Sequence, residues 1–121
     1  MTRHVVFDTE IQITRDNLIE RLQNTVPDFS IDLDWRDGTL GYPITNDLAR
    51  FICDRAGIEE FEQVRTAIRF LEMELENGDE YVRDLVSEAL ETLAGCQHVH
   101  AVQAYFGPRL LRLWATIRPG F

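Results

Sequence analysis

Residues 58–94 restrict the fold more than any other part of the chain. Apolar residues recur there at steps of three and four, at Phe61, Val64, Ile68, Leu71 and Leu75. This spacing predicts one face of an amphipathic helix that ends at Asn77-Gly78. Asp79 is suited to cap a second helix that runs to about Ala94. Two helices joined by so short a turn pack antiparallel, so the stretch predicts a helical domain.

Three further segments fit the same class. Apolar residues at helical spacing lie between Thr14 and Pro27, between Thr45 and Gly57, and after Gly107-Pro108. Together the segments predict a mainly α domain, either an antiparallel bundle or a short α-superhelix of five or six helices. At 121 residues the chain is one domain, with residues 1–13 as a candidate N-terminal extension.

One segment has a different period. Its apolar residues alternate with polar ones, and the alternating apolar residues are Phe29, Ile31, Leu33 and Trp35. Asp37-Gly38 then offers a hairpin turn, and Ile11 and Ile13 alternate in the same way. Two interpretations stay open: a small two-stranded β-ribbon near residues 10–42, or a loop that lays its apolar side on the helices.

The charge balance restricts the partners. The formal net charge is -9, which disfavours nucleic acid because phosphate binding requires clustered basic side chains. The N-terminus has no apolar run typical of a signal peptide, and no stretch approaches the roughly 20 apolar residues of a membrane span. We therefore expect a cytoplasmic protein with no membrane partner. Cys53 and Cys96 match no disulfide framework, and we expect reduced core thiols.

Carboxylates are concentrated between residues 72 and 91, where eight of them are opposed by Arg83 alone. Four fall within about 80° of one another on the second predicted helix. We call these four the acidic ridge: Glu80, Asp84, Glu88 and Glu91. Their three like-charge pairs cost an isolated helix on the order of 1 kcal/mol. Glu72 and Glu76 crowd the end of the preceding helix, so the acidic ends meet at the turn.

Three interpretations of these charges stay open from composition. They can form a solvated, solubilising face, or they can pair internally with Arg109, Arg112 and Arg118 of the acid-free C-terminal segment. They can also form a docking surface for a basic macromolecule, because acidic surfaces raise association rates and select partners.

Catalytic and metal-binding patterns are weak. Cys96-x-His98-x-His100 supplies three ligand types, but a structural zinc needs four ligands and few other candidates exist. The aspartates of residues 32–38 depart from calcium-loop spacing. No nucleophile elbow and no glycine-rich phosphate loop is present. We expect neither enzymatic activity nor a cofactor.

Residues 17–29, 70–93 and 105–114 together resemble a family of small, acidic, mostly helical bacterial proteins. The shared features are a Phe-Leu-Glu helix end, a Gly-Asp-Glu turn and a Gly-Pro before an aromatic-bearing helix. The family is largely uncharacterised, and some of its members are described as immunity proteins of polymorphic toxin or contact-dependent inhibition systems. Its matched positions are architectural, so the resemblance transfers no catalytic residue.

The resemblance implies a non-enzymatic immunity protein that binds and neutralises a cognate toxin domain, a basic nuclease being the expected class. The acidic ridge with Glu72 and Glu76 is the predicted contact surface. Trp35, beside Asp34 on an acidic loop, is predicted either as an aromatic anchor for that partner or as a core residue. The alternative function is a helical adaptor or homodimer, in which the ridge of one copy meets the C-terminal arginines of another.

Overall fold

A computed structural model describes residues 12–29 and 41–117, and these residues form six α-helices and no strand. The helices are α1 (Leu18–Thr25), α2 (Gly41–Gly57), α3 (Phe61–Asn77), α4 (Glu80–Ala94), α5 (Val99–Gln103) and α6 (Pro108–Ile117). The predicted mainly α class is confirmed. The β-ribbon was predicted near residues 10–42, and the described residues 12–29 contain no strand, with Ile13 forming an isolated bridge to Gly78. The rest of that prediction, with Asp34 and Trp35, falls on residues 30–40, outside the described residues. No helix in the described part is long and apolar enough to cross a membrane.

Helix α4 lies at the centre of the packing. It packs most extensively against α2, while α3 packs against both of these helices and α6 packs against α3 and α4. The apolar face of α4 is fully buried, with 0 % exposure at Val82, Leu85, Val86, Ala89, Leu90 and Leu93. The opposite face of α4 is therefore turned to solvent.

Helix boundaries differ from the predictions at two places. Helix α2 begins at Gly41 rather than at Thr45, and Pro43 lies in its first turn, where a missing N–H costs little. Helix α3 begins at Phe61 rather than at residue 58. Glu59 has a φ of 63°, in the left-handed region, which interrupts the helical path before α3 starts.

The segment that precedes α1 forms backbone hydrogen bonds with the α3–α4 turn. Ile13, with 0 % exposure, donates its N–H to Asn77 O at 2.8 Å and accepts from Asp79 N–H at 3.0 Å. Asp79 Oδ1 accepts from Val82 N–H at 3.0 Å, which confirms the predicted cap of α4. The beginning of the acidic ridge is thus held by both backbone and side-chain hydrogen bonds.

The expectation of reduced core thiols is wrong, because Cys53 and Cys96 form a disulfide between α2 and the α4–α5 turn. The two Cα atoms lie 6.0 Å apart across a sequence separation of 43 residues, within the range that a disulfide spans. The disulfide could not be predicted from the spacing of the two cysteines in the sequence, because only the packing of α2 on α4 brings them together. Persistent disulfides are typical of oxidising compartments, so the cytoplasmic location stays a prediction.

Two turn glycines provide a matched pair of substitutions, Gly78 in the α3–α4 turn and Gly95 in the α4–α5 turn. A Cβ on Gly78 would clash with the backbone oxygen of Glu74 and would lie 2.6 Å from Val82 Cγ1, whereas the nearest atom to a Cβ on Gly95 is Thr92 O at 3.6 Å. Neither glycine has a positive φ, so the space alone distinguishes them. We expect Gly78→Ala to lower the free energy of unfolding by about 1–3 kcal/mol and Gly95→Ala to change it little. Urea unfolding followed by circular dichroism measures both; equal effects would contradict the packing described for the turn.

Candidate interaction surface

The acidic ridge is a continuous exposed feature of α4. All four of its carboxylate residues are exposed, and they extend along about 16 Å of the helix. Arg83, also exposed, is the one basic residue within α4. Because the apolar face of α4 is buried on the other side, the ridge is presented to solvent by the same packing that forms the core.

Internal cations do not neutralise the ridge within residues 12–29 and 41–117. The salt bridges in this part of the chain join Arg50 to Asp47, Arg65 to Glu62, and Arg109 to Glu72 and Glu76. None of them includes a ridge carboxylate. Arg112 is exposed on α6 and Arg118 lies outside the described residues. Internal pairing therefore involves carboxylates of α2 and α3, and the described basic groups leave the ridge on α4 unpaired.

Glu72 has a structural role that its sequence position did not indicate. Its carboxylate accepts from Arg109 N–H at 2.9 Å and from Leu110 N–H at 3.1 Å, and its side chain is only 16 % exposed. These N–H groups belong to the first turn of α6, where backbone N–H groups have no acceptor within the helix. Glu72 on α3 thus caps a different helix, and it does not extend the exposed ridge.

Glu76 occupies an intermediate position. Its side chain is 51 % exposed, and its Oε2 lies 3.9 Å from Arg109 Nη2. A contact this long and this exposed contributes little stability. The predicted contact set therefore divides into three parts: the four ridge residues lie together, Glu76 borders Arg109, and Glu72 is engaged internally. Asp34 and Trp35 remain predictions outside the described residues.

The Cys96-x-His98-x-His100 pattern does not form a metal centre. Cys96 is bonded to Cys53, and its Sγ accepts from His98 N–H at 3.2 Å. The His98 ring packs over the end of α2, where a Cβ on Gly57 would lie 2.8 Å from His98 Nε2. Among the residues that the structure describes, no group of three or more potential ligands is placed to hold a metal ion.

Glu74 is the titratable residue that the sequence reasoning missed. It is 1 % exposed within α3, and burial raises its pKa well above the ordinary 4.5. Its Oε1 has no hydrogen-bond partner in the described part of the chain. The available signal was its spacing, because Glu74 follows the buried residues Phe70 and Leu71 by four and three positions. Glu74 thus faces the core, and it adds no charge to the surface.

The raised pKa of Glu74 makes stability depend on pH. The folded chain keeps this proton to a higher pH than the unfolded chain does, so the free energy of unfolding falls as the pH rises above about 4.5. Glu74→Gln removes this contribution. We expect the variant to gain stability relative to the wild type as pH rises, by at most about 1.4 kcal/mol per pH unit. Urea midpoints between pH 4 and pH 8 measure the difference; a difference that is independent of pH would contradict the burial of an ionisable Glu74.

Comparison with known proteins supplies a family but no activity. No curated protein and no solved structure shows significant similarity to the chain. One family model, described as a domain of unknown function (DUF7674), matches residues 18–119 and so spans the region from α1 through α6. The resemblance to an uncharacterised helical family is confirmed at this level. The chain belongs to the DUF7674 family.

Proposed function

We propose that the protein is a non-enzymatic immunity protein that binds a cationic toxin domain through the acidic ridge of α4. The observation that supports this proposal is the absence of internal pairing at the ridge within the described residues, although the same chain pairs Glu72 and Glu76 with Arg109. An amphipathic helix needs polar residues on its solvent face, but it does not need four carboxylates of one sign there. A surface that meets a positively charged partner gains from this alignment.

The energetics favour recognition over stability. The three like-charge pairs of the ridge cost roughly 1 kcal/mol, and only Glu80, in the first turn, gains from the helix dipole. Exposed charges act on an approaching partner over a Debye length of about 10 Å at 0.1 M salt. A rigid acidic helix therefore accelerates the capture of a basic partner, such as the phosphate-binding cleft of a nuclease.

The alternative of a homodimer through the C-terminal arginines is weakened by the position of Arg109. Its guanidinium already contacts Glu72 and Glu76 of the same chain, so it would have to leave them to meet the ridge of a second copy. Arg112 remains exposed, and the sedimentation behaviour of the purified protein distinguishes the alternatives. A dimer that dissociates in salt would favour the adaptor function.

Co-expression tests the proposal, with the C-terminal domain of a secreted protein as the candidate toxin if the neighbouring gene encodes one. We expect the wild-type chain to restore growth, and the combined change of Glu80→Arg, Asp84→Arg and Glu88→Arg to abolish this rescue. The reversal should also slow association in low salt by about tenfold or more. The physical reason is that the reversal replaces attraction by repulsion at the contact.

A matched control reverses three exposed acidic residues elsewhere, Asp16, Glu20 and Glu59, and gives the same change in net charge. This control variant should keep its rescue activity, because it leaves the ridge intact. Circular dichroism confirms that both variants retain their helix content. Rescue by the ridge variant at the wild-type level would show that the ridge is not the contact surface.

A further inference from the structure

The Cys53–Cys96 disulfide borders a surface cleft that the acidic ridge does not use. The cleft has a volume of about 270 Å³, and its lining consists of Ala49, Arg50, Cys53, Asp54, Thr92, Gly95 and Cys96. Arg50, Asp54 and Gly95 are exposed, so the cleft opens to solvent beside the two cysteines. A disulfide in such a position is accessible to a small thiol.

The two cysteines are not equivalent. Cys53 is half-buried on α2, whereas Cys96 is only 8 % exposed in the α4–α5 turn. In addition, Cys96 Sγ accepts a hydrogen bond from His98 N–H at 3.2 Å. Thiol–disulfide exchange depends on which sulfur can be reached and on how well the other sulfur carries the negative charge as it leaves. Access favours attack at Cys53, and the His98 N–H favours departure of Cys96 as a thiolate.

We propose that Cys53 is a thiol-exchange site for a low-molecular-weight monothiol of the glutathione class. The thiolate of the small molecule attacks Cys53 Sγ, forming a new S–S bond to Cys53 and breaking the Cys53–Cys96 bond. The electron pair of the broken bond goes to Cys96, which becomes a thiolate beside the His98 N–H. A second monothiol then attacks the sulfur of the bound small molecule, giving the free Cys53 thiolate and the oxidised dimer of the small thiol.

The size of the cleft supports a small thiol. About 270 Å³ is below the typical range of sites that enclose a whole drug-sized ligand, so the cleft admits the thiol end of a short peptide. The exchange does not require unfolding, because the two cysteines lie at one end of an apolar core between α2 and α4 to which many other residues contribute. Ile52 of α2 and Leu90 of α4, for example, have 0 % exposure. Exchange therefore releases the link between α2 and the α4–α5 turn while the helices stay packed.

Peptide mapping of the native oxidised chain tests this site. The full chain is incubated with reduced glutathione, quenched with acid, alkylated and cleaved after arginine, which separates Cys53 in residues 51–55 from Cys96 in residues 84–109. We expect glutathione on Cys53 and the alkylating label on Cys96, with a preference of about tenfold or more for this arrangement. Circular dichroism of the same sample should show unchanged helix content.

The same chain unfolded in urea is the control, since it lacks both the difference in access and the His98 hydrogen bond. In urea we expect the preference to fall to about twofold or less. The proposal is overturned by a native preference equal to that in urea, by glutathione mainly on Cys96, or by an absence of adduct until urea is added. Free thiols at both positions in chain purified without reductant would also overturn it.

Discussion

The hydrogen bonds between Glu72 and the first turn of α6 place Arg109 beside the carboxylates of α3. Glu72 accepts from Arg109 N–H and Leu110 N–H, and such bonds to a charged acceptor contribute roughly 1.5–3 kcal/mol each. The guanidinium contacts of Arg109, at 3.9 Å, are much weaker. The backbone bonds therefore anchor α6 to α3, and they keep Arg109 beside α3 rather than beside α4.

This arrangement separates two uses of negative charge within twenty residues of sequence. On α3, Glu72 serves as a cap, Glu74 is buried with a raised pKa, and Glu76 borders Arg109. On α4, the acidic ridge has no described basic partner, and its like charges repel one another. The fold accepts this repulsion because the buried apolar face of α4 provides far more stabilisation than the ridge removes. A surface that costs stability is available for a charged partner.

Local patterns predicted those features that depend on neighbours in sequence. The 3.6-residue period located α3 and α4, and Asp79 was recognised as a cap because its partner Val82 is three residues away. Contacts between residues far apart in the sequence were not predicted, because local patterns carry no information about them. Glu72 and Arg109 are 37 residues apart, and Cys53 and Cys96 are 43 apart, so only the packed helices bring them together. The burial of Glu74 could have been predicted from its helical spacing, but a charged residue was not expected on the apolar face.

The most direct measurement for the central claim is the stability of a chain in which Asp84→Asn, Glu88→Gln and Glu91→Gln are combined. These changes remove all three like-charge pairs of the ridge and leave Glu80 to interact with the helix dipole. An unpaired ridge predicts that the free energy of unfolding rises by about 1 kcal/mol in low salt, and that the gain shrinks as salt is added. A loss of stability in low salt would contradict the account, because it would mean that cations of the chain itself already neutralise the ridge.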